Sequence, residues 1–330
     1  GFGVYFFFVL SGFLITYLLL AEKEKQGTIH IKQFYIRRIL RIWPLYYLIM
    51  VLGFFVLPHI KYIEIDTLQV QFYDHFYGNL IMYLIILPNL AYSFFISVPH
   101  IGQSWSIGVE EQFYIFWPWV ISKSKNILKT LVIIIVGLIL LKLLILVLGR
   151  YYNNTGWYQP LQRFVAMSKF ECMAIGGIGG YMVFSGHPLL KILYNKYVLN
   201  LSMLLIPVLI FSPAVLQNGI HIIYSVIFLI IILNVANNSV MLKLENKFLN
   251  YLGKISYGIY MYHFMIIPLI VCYLINFLEM DEGGLLMNLI LYVSTILITI
   301  GISSLSYELF ESRFIRMKSR FSFIKSGEKE

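Results

Sequence analysis

The sequence predicts an all-α fold, a polytopic bundle of transmembrane helices, and three observations predict it. The 330 residues are 59% hydrophobic and only 12% charged, about half the charged share of a soluble domain. Apolar runs of near-membrane-spanning length recur from end to end. Lys and Arg collect in particular connections between those runs. The net charge of +9 therefore reads as a signal of membrane sidedness, and no nucleic-acid partner is expected. Membrane lipids are the expected surroundings.

The first apolar run covers residues 2–21 and a charged loop, 22–41, follows it. Further runs lie at 42–57, 78–96, 105–121, 130–148, 170–186, 198–213, 219–236, 255–275 and 286–309. No repeat and no Gly/Ser- or Pro-rich linker divides them. One membrane domain, 1–312, with a short basic tail, 313–330, is the expected partition. The chain opens at Gly1 inside an apolar stretch, and is expected to be a fragment lacking its true N-terminus.

Loop charges set the orientation. Loop 22–41 holds six Lys and Arg, 122–129 three, 187–197 two, 237–254 three and segment 310–330 six. Loop 58–77 holds one, 149–169 three, and 214–218 and 276–285 none. The first group lies on one side only if 78–121 makes a single net crossing. The expectation is about nine crossings, about ten in the intact protein, with the C-terminus cytoplasmic in a cell membrane. One of the runs 78–96 and 105–121 is then re-entrant, which backbone chemistry tolerates only where protein or water lines it.

Within this frame a few polar residues stand out. Arg37, Arg38 and Arg41 enter an apolar run at Trp43-Pro44. Guanidinium keeps its charge, so the three must lie at the membrane surface or line a polar cavity. Arg38 and Arg41 share a helix face and suit a phosphate-bearing ligand through paired hydrogen bonds; anchoring to anionic headgroups is the alternative. Glu110 and Glu111 put two carboxylates in apolar surroundings, either for proton transfer or for an ion pair that fixes packing. Successive helix positions differ by about 100°, so the two cannot face one site. His263 lies about two turns into an apolar helix, as a proton shuttle or a packing residue. Ser11-Gly12 and the Gly176/Gly180 pair are packing signals. Lys142 is expected to snorkel. His59, His75, His100, His187 and His221 read as loop or interface residues. Cys172 and Cys272 read as small hydrophobes, and no metal is expected.

FFFVLSGFLI, FYIRRILRIWPLYY, SWSIGVEEQFYIFWPW, LGKISYGIYMYHF and SYELFESRFIR occur in this order over residues 6–316. Together they resemble the successive signature blocks of acyltransferase family three, integral membrane O-acyltransferases. The resemblance implies a bundle of about ten helices. It also implies transfer of an acyl group, usually acetyl from acetyl-CoA, to a hydroxyl of a cell-envelope or extracellular carbohydrate or a lipid-linked glycan. Carried over by residue, it puts acyl-CoA binding on Arg38 and Arg41, with Arg37 beside them. Catalytic roles fall on Glu110, within Trp105-Ser106-x-x-x-Glu110, and on His263, within Ser256-Tyr257-x-x-Tyr260-x-x-His263. The family's catalytic histidine, with an arginine upstream, belongs to a helix before FFFVLSGFLI, so the fragment alone is expected to lack it. A transporter or flippase of a glycan or lipid-linked precursor is the alternative reading, though the repeats common in transporters are not visible.

Overall fold

The computed structural model describes residues 2–60, 63, 66–95, 97–152, 155–211, 220–237, 246–281 and 283–321, and every regular element among them is helical. The α-helices are α1 Phe2–Gln26, α2 Ile31–Val51, α3 Asp66–Asp74, α4 Phe76–Leu84, α5 Pro88–Phe94, α6 Trp105–Lys123, α7 Ile127–Tyr152 and α8 Tyr158–Met167. They continue as α9 Phe170–Ser185, α10 Leu190–Leu193, α11 Lys196–Ile210, α12 Ile220–Ala236, α13 Lys247–Asn276, α14 Leu285–Ser306 and α15 Ser312–Lys318. They gather into two compact units. Unit one holds α1, the C-terminal part of α6, and α7–α12; unit two holds α2–α5, the start of α6, and α13–α15.

Unit one is built on α1 against α9. A side chain at Gly12 would strike the Met173 backbone, and one at Gly176 the Val9 carbonyl. Glycine at these points lets two backbones touch, which is how helices gain packing energy where lipid supplies no hydrophobic drive. Polar side chains then pin the neighbours. Trp117 Nε1 donates to Thr16 Oγ1 at 2.8 Å, and the Ser11 and Tyr114 hydroxyls share a bond of 2.6 Å. The packing role expected of Ser11-Gly12 and of Gly176 and Gly180 is what these contacts show.

Helix directions within unit one fix which ends coincide. Lys23 Nζ donates to Ser122 O at 3.0 Å, so α1 and α6 end together. Asn234, near the end of α12, donates to Leu193 O at 2.8 Å. Helix α7 runs the other way. Its Lys142 does not snorkel as expected. It turns into the bundle, donating to Ser168 O at 2.7 Å and pairing with Glu171, because a buried carboxylate offers a partner that open lipid does not. His221, expected in a loop or interface, sits in the first turn of α12 on the same carboxylate.

Unit two contains the irregular stretch. Run 78–96 is broken into α4 and α5, with Ile86 between them at φ 58°. At the end of α4 the Tyr83 and Leu84 carbonyls accept from Tyr46 OH at 2.9 Å and Tyr47 OH at 2.8 Å. The Tyr83 carbonyl also accepts from Ile86 N–H at 3.1 Å, and the tyrosine hydroxyls add donors at a helix end, where carbonyls lose their helical partners. Run 105–121, by contrast, is one unbroken helix. Among the described residues five helical segments are long and apolar enough to cross a membrane: Phe2–Gln26, Ile31–His59, Ile127–Tyr152, Lys247–Asn276 and Leu285–Lys318. The chain is thus an all-α membrane protein. A count of nine would require adding α6, α9, α11 and α12, of 19, 16, 15 and 17 residues, and these are not among the five.

Two outcomes test this packing. Gly176→Leu should lower the melting temperature of the detergent-solubilised protein sharply, whereas Gly137→Ala, where an added methyl meets nothing within 4 Å, should not. In a background without native cysteines, Gln26→Cys and Lys125→Cys should react with an impermeant thiol reagent from the same face, and Gly156→Cys from the opposite face. Labelling of positions 26 and 125 from opposite faces would contradict the arrangement of α1 and α6.

Candidate functional site

The arginine turn lies in α2, ahead of Pro44. Proline has no N–H to give the Leu40 carbonyl its helical partner. Arg38 and Arg41 share a face, and the Arg38 guanidinium lies 5.6 Å from the centre of the Phe34 ring. Arg37 Nη1 donates to Phe321 O at 2.8 Å, which holds the distant end of the described chain against the start of α2. Lys318, in the last turn of α15, interacts electrostatically with Arg41, Arg38 and Arg37. Lys318 lies three residues before Phe321, so the Arg37–Phe321 bond brings it to the arginine turn, where four cations from two widely separated segments meet. The sequence alone presents Lys318 as one of several charges in a basic tail, 313–330. The tail beyond Phe321 lies outside the described residues.

Carboxylates reach the same turn from two directions. Trp43 Nε1 donates to Glu111 Oε2 at 3.1 Å, and the Arg38 charge acts on that carboxylate. Glu111 Oε1 is buried without a hydrogen-bond partner among the described residues. Both carboxylates act electrostatically on the Tyr257 phenol, Glu111 the more strongly, and Glu110 acts on Tyr260 as well. The Arg38 charge acts on Glu111, and Glu110, singled out from the sequence, acts on the Tyr260 phenol.

The third carboxylate is Glu311, in the five-residue π-turn Tyr307–Glu311 that follows α14. Such turns add a residue to the helix and re-aim the side chains around it. Glu311 is 5% exposed, accepts from Ser306 Oγ at 3.0 Å and interacts with Arg41. Ser306 in turn accepts from Tyr262 OH at 3.0 Å. Gly258 keeps α13 close, since an added methyl there would lie 3.2 Å from Ser303 and 3.4 Å from Glu311 Oε1. Glu311 sits in a block that carried the family resemblance, but nothing in the sequence marks it as the acid that turns inwards.

Helix α13 meets the start of α6 through its tyrosines. Tyr257 OH donates to Ile42 O at 3.0 Å. Tyr260 OH shares a 2.6 Å bond with Ser106 Oγ and lies 2.9 Å from Gln103 O. Gln103 Nε2 donates to Met261 O at 2.6 Å. Among the described residues Ser256, in the same block, bonds only its own helix, to Gly253 O at 2.9 Å. His263 Nδ1 lies 2.6 Å from Tyr260 O. A carbonyl only accepts, so Nδ1 carries the hydrogen, and Nε2 of the neutral ring keeps a lone pair able to accept a proton. In the connection before α6, His100 adopts φ 62° and lies 3.0 Å from Ile63 O. Burial holds its imidazole below the usual value, against the opposing pull of that bond. No cluster of three or more metal-ligating side chains occurs among the described residues.

Comparison with known proteins adds an independent line. The model of a family described as an acyltransferase domain matches residues 1–308. A Staphylococcus aureus (strain COL) protein named "Putative O-acetyltransferase" is 29% identical over 94% of this chain and 52% of its own length. The O-acetyltransferase OatA of Staphylococcus aureus (strain NCTC 8325 / PS 47) is 28% identical over 94% of this chain and 52% of its own. The chain thus spans about half the length of the curated relatives it matches. No solved structure matches it.

Tyr260→Phe should test the join between α13 and α6. Removing the hydroxyl takes away its bonds to Ser106 and Gln103, and the expected loss of stability is about 1 kcal/mol, read as a lower denaturation midpoint. An unchanged midpoint would mean that this network does not hold the two helices.

Proposed function

Because the chain belongs to the acyltransferase domain family, we propose that the full-length protein is a membrane-bound O-acyltransferase. It moves an acyl group, acetyl foremost, from acyl-CoA to a hydroxyl of an envelope or extracellular carbohydrate. The observation that carries this reading is the Arg37–Phe321 bond, which brings Lys318 to Arg37, Arg38 and Arg41. Like charges brought together repel, and a polyanion such as the phosphates of coenzyme A offsets that cost. The positive-inside count supports a cytoplasmic side for these residues and the C-terminus, where acyl-CoA is available.

The reaction needs few parts. The acceptor hydroxyl oxygen attacks the thioester carbonyl carbon, a base takes the hydroxyl proton, and the C–S bond breaks with loss of the CoA thiolate. In this chain, Arg38 and Arg41 hold the donor phosphates and Lys318 supplements them. Glu111 and Glu311 limit the positive charge around the arginines. His263 Nε2 and Glu110 supply groups able to accept or polarise a proton beside Tyr260.

In the full-length protein, Arg38→Ala and Arg41→Ala together should abolish incorporation of acetyl-CoA label into base-labile O-esters while the protein remains inserted. Retained incorporation would remove the donor-site assignment. Lys318→Ala should raise KM for acetyl-CoA several-fold and leave KM for S-acetylpantetheine, which has no phosphate, unchanged. Equal effects on both donors would mean that Lys318 acts through structure and not through phosphate.

A further inference from the structure

Unit one contains a second polar cluster that the donor site does not use. Glu171, in the first turn of α9, is completely buried. Its Oε1 accepts from Lys142 Nζ of α7 and from His221 Nε2 of α12, the latter at 2.8 Å. Its Oε2 is buried and has no hydrogen-bond partner among the described residues. The Lys142 and His221 side chains are 20% and 12% exposed. Tyr5 of α1 stands beside the imidazole, with ring centres 6.2 Å apart, and stacks on Tyr224 at 6.4 Å. The Lys169 ammonium lies 5.9 Å from the centre of the Tyr5 ring.

A structural ion pair needs one cation and one carboxylate. Here two donors converge on one oxygen and the other oxygen is left over, in surroundings where ionisable groups are costly and tend to mark function. The bond to Glu171 also sets the histidine tautomer. A carboxylate accepts, so Nε2 carries the hydrogen, and in the neutral ring Nδ1 is left as an acceptor. Lys142 uses two of its three donors on Ser168 O and Glu171. Among the described residues, the second Glu171 oxygen, His221 Nδ1 and the third Lys142 hydrogen are left over beside a pair of tyrosine rings, which matches the hydrogen-bonding pattern of a polyhydroxylated ligand.

Placement within unit one agrees. Lys142 lies 15 residues into α7, about 22 Å along the helix at 1.5 Å per residue. That carries it away from the end where Lys23, Lys123, Lys125 and Lys129 gather. With the basic end cytoplasmic, the cluster faces the outer leaflet.

From this geometry we infer that Lys142, Glu171 and His221 bind a hydroxyl of the carbohydrate acceptor, with His221 Nδ1 accepting its hydrogen bond. The inference rests on the O-acyltransferase reading for the identity of the ligand. His221 is a positioning residue here, holding the acceptor while the acyl group is delivered.

The test uses membranes containing the full-length protein and labelled acetyl-CoA, and reads two products at once: base-labile O-ester, made on the acceptor, and free acetate, made on water. His221→Gln keeps an N–H for Glu171 but removes the ring acceptor; Glu171→Gln removes the carboxylate charge. Each should lower the ratio of O-ester to acetate about fivefold or more, the worth of one hydrogen bond, with acetyl-CoA affinity unchanged. An unchanged ratio in folded His221→Gln, or a parallel fall of both products, would overturn the inference in favour of a packing role. Nitrogen-15 NMR of the wild-type histidines, with His221→Gln identifying the signal, is a readout that does not depend on transfer. It should find Nδ1 unprotonated, and a protonated Nδ1 would overturn the inference even if Glu171→Gln does not fold. Wild-type protein that makes no O-ester at all would instead sink the acyltransferase reading.

Discussion

Ionised side chains among apolar helices are the constraint on which this molecule depends. An ion moved out of water costs several kcal/mol even after the protein relaxes around it. A sequence that is 12% charged can place few of them, and each needs an answering group. In unit two, Glu111 answers to Trp43 and Arg38, and Glu311 to Ser306 and Arg41. In unit one, Lys142 and His221 answer to Glu171. The apolar helices supply the low dielectric that makes these contacts strong, and the contacts in turn restrict how the helices pack.

Departures from regular helix occur close to these polar groups. The π-turn Tyr307–Glu311 places a carboxylate, and the break at Ile86 ends α4 where the Tyr46 and Tyr47 hydroxyls can donate to its carbonyls. Broken backbone at membrane depth survives only with such partners. Glycine serves the opposite purpose, removing side chains so that α1 and α9 meet along their backbones. Close packing at that seam and polar bonds elsewhere are complementary ways to hold helices that lipid does not push together.

Much of the fold was legible in the sequence. Apolar runs and loop charges gave an all-α membrane bundle, and charge parity singled out 78–121 as irregular. It could not say which run was broken. Pro88 and the positive φ of Ile86 decide that locally, and only Pro88 is visible beforehand. The arginine turn was legible because three permanent charges stood at the edge of an apolar run. Glu171 and His221 were not, because a lone acid and a lone histidine at run ends look like ordinary boundary residues. Lys142 looked able to reach the surface, and only the fold shows that a carboxylate lies nearer. Lys318 was hidden for a similar reason: its neighbours are almost three hundred positions away in sequence.

The central claim is that the cations of α2 and α15 hold the phosphates of an acyl-CoA. The most direct measurement is an experimental structure of the full-length protein in a lipid nanodisc with coenzyme A bound. The account predicts phosphate density within hydrogen-bonding distance of Arg38 and Arg41, with Lys318 beside it. Coenzyme A bound elsewhere, with those guanidiniums turned to lipid headgroups, would contradict it.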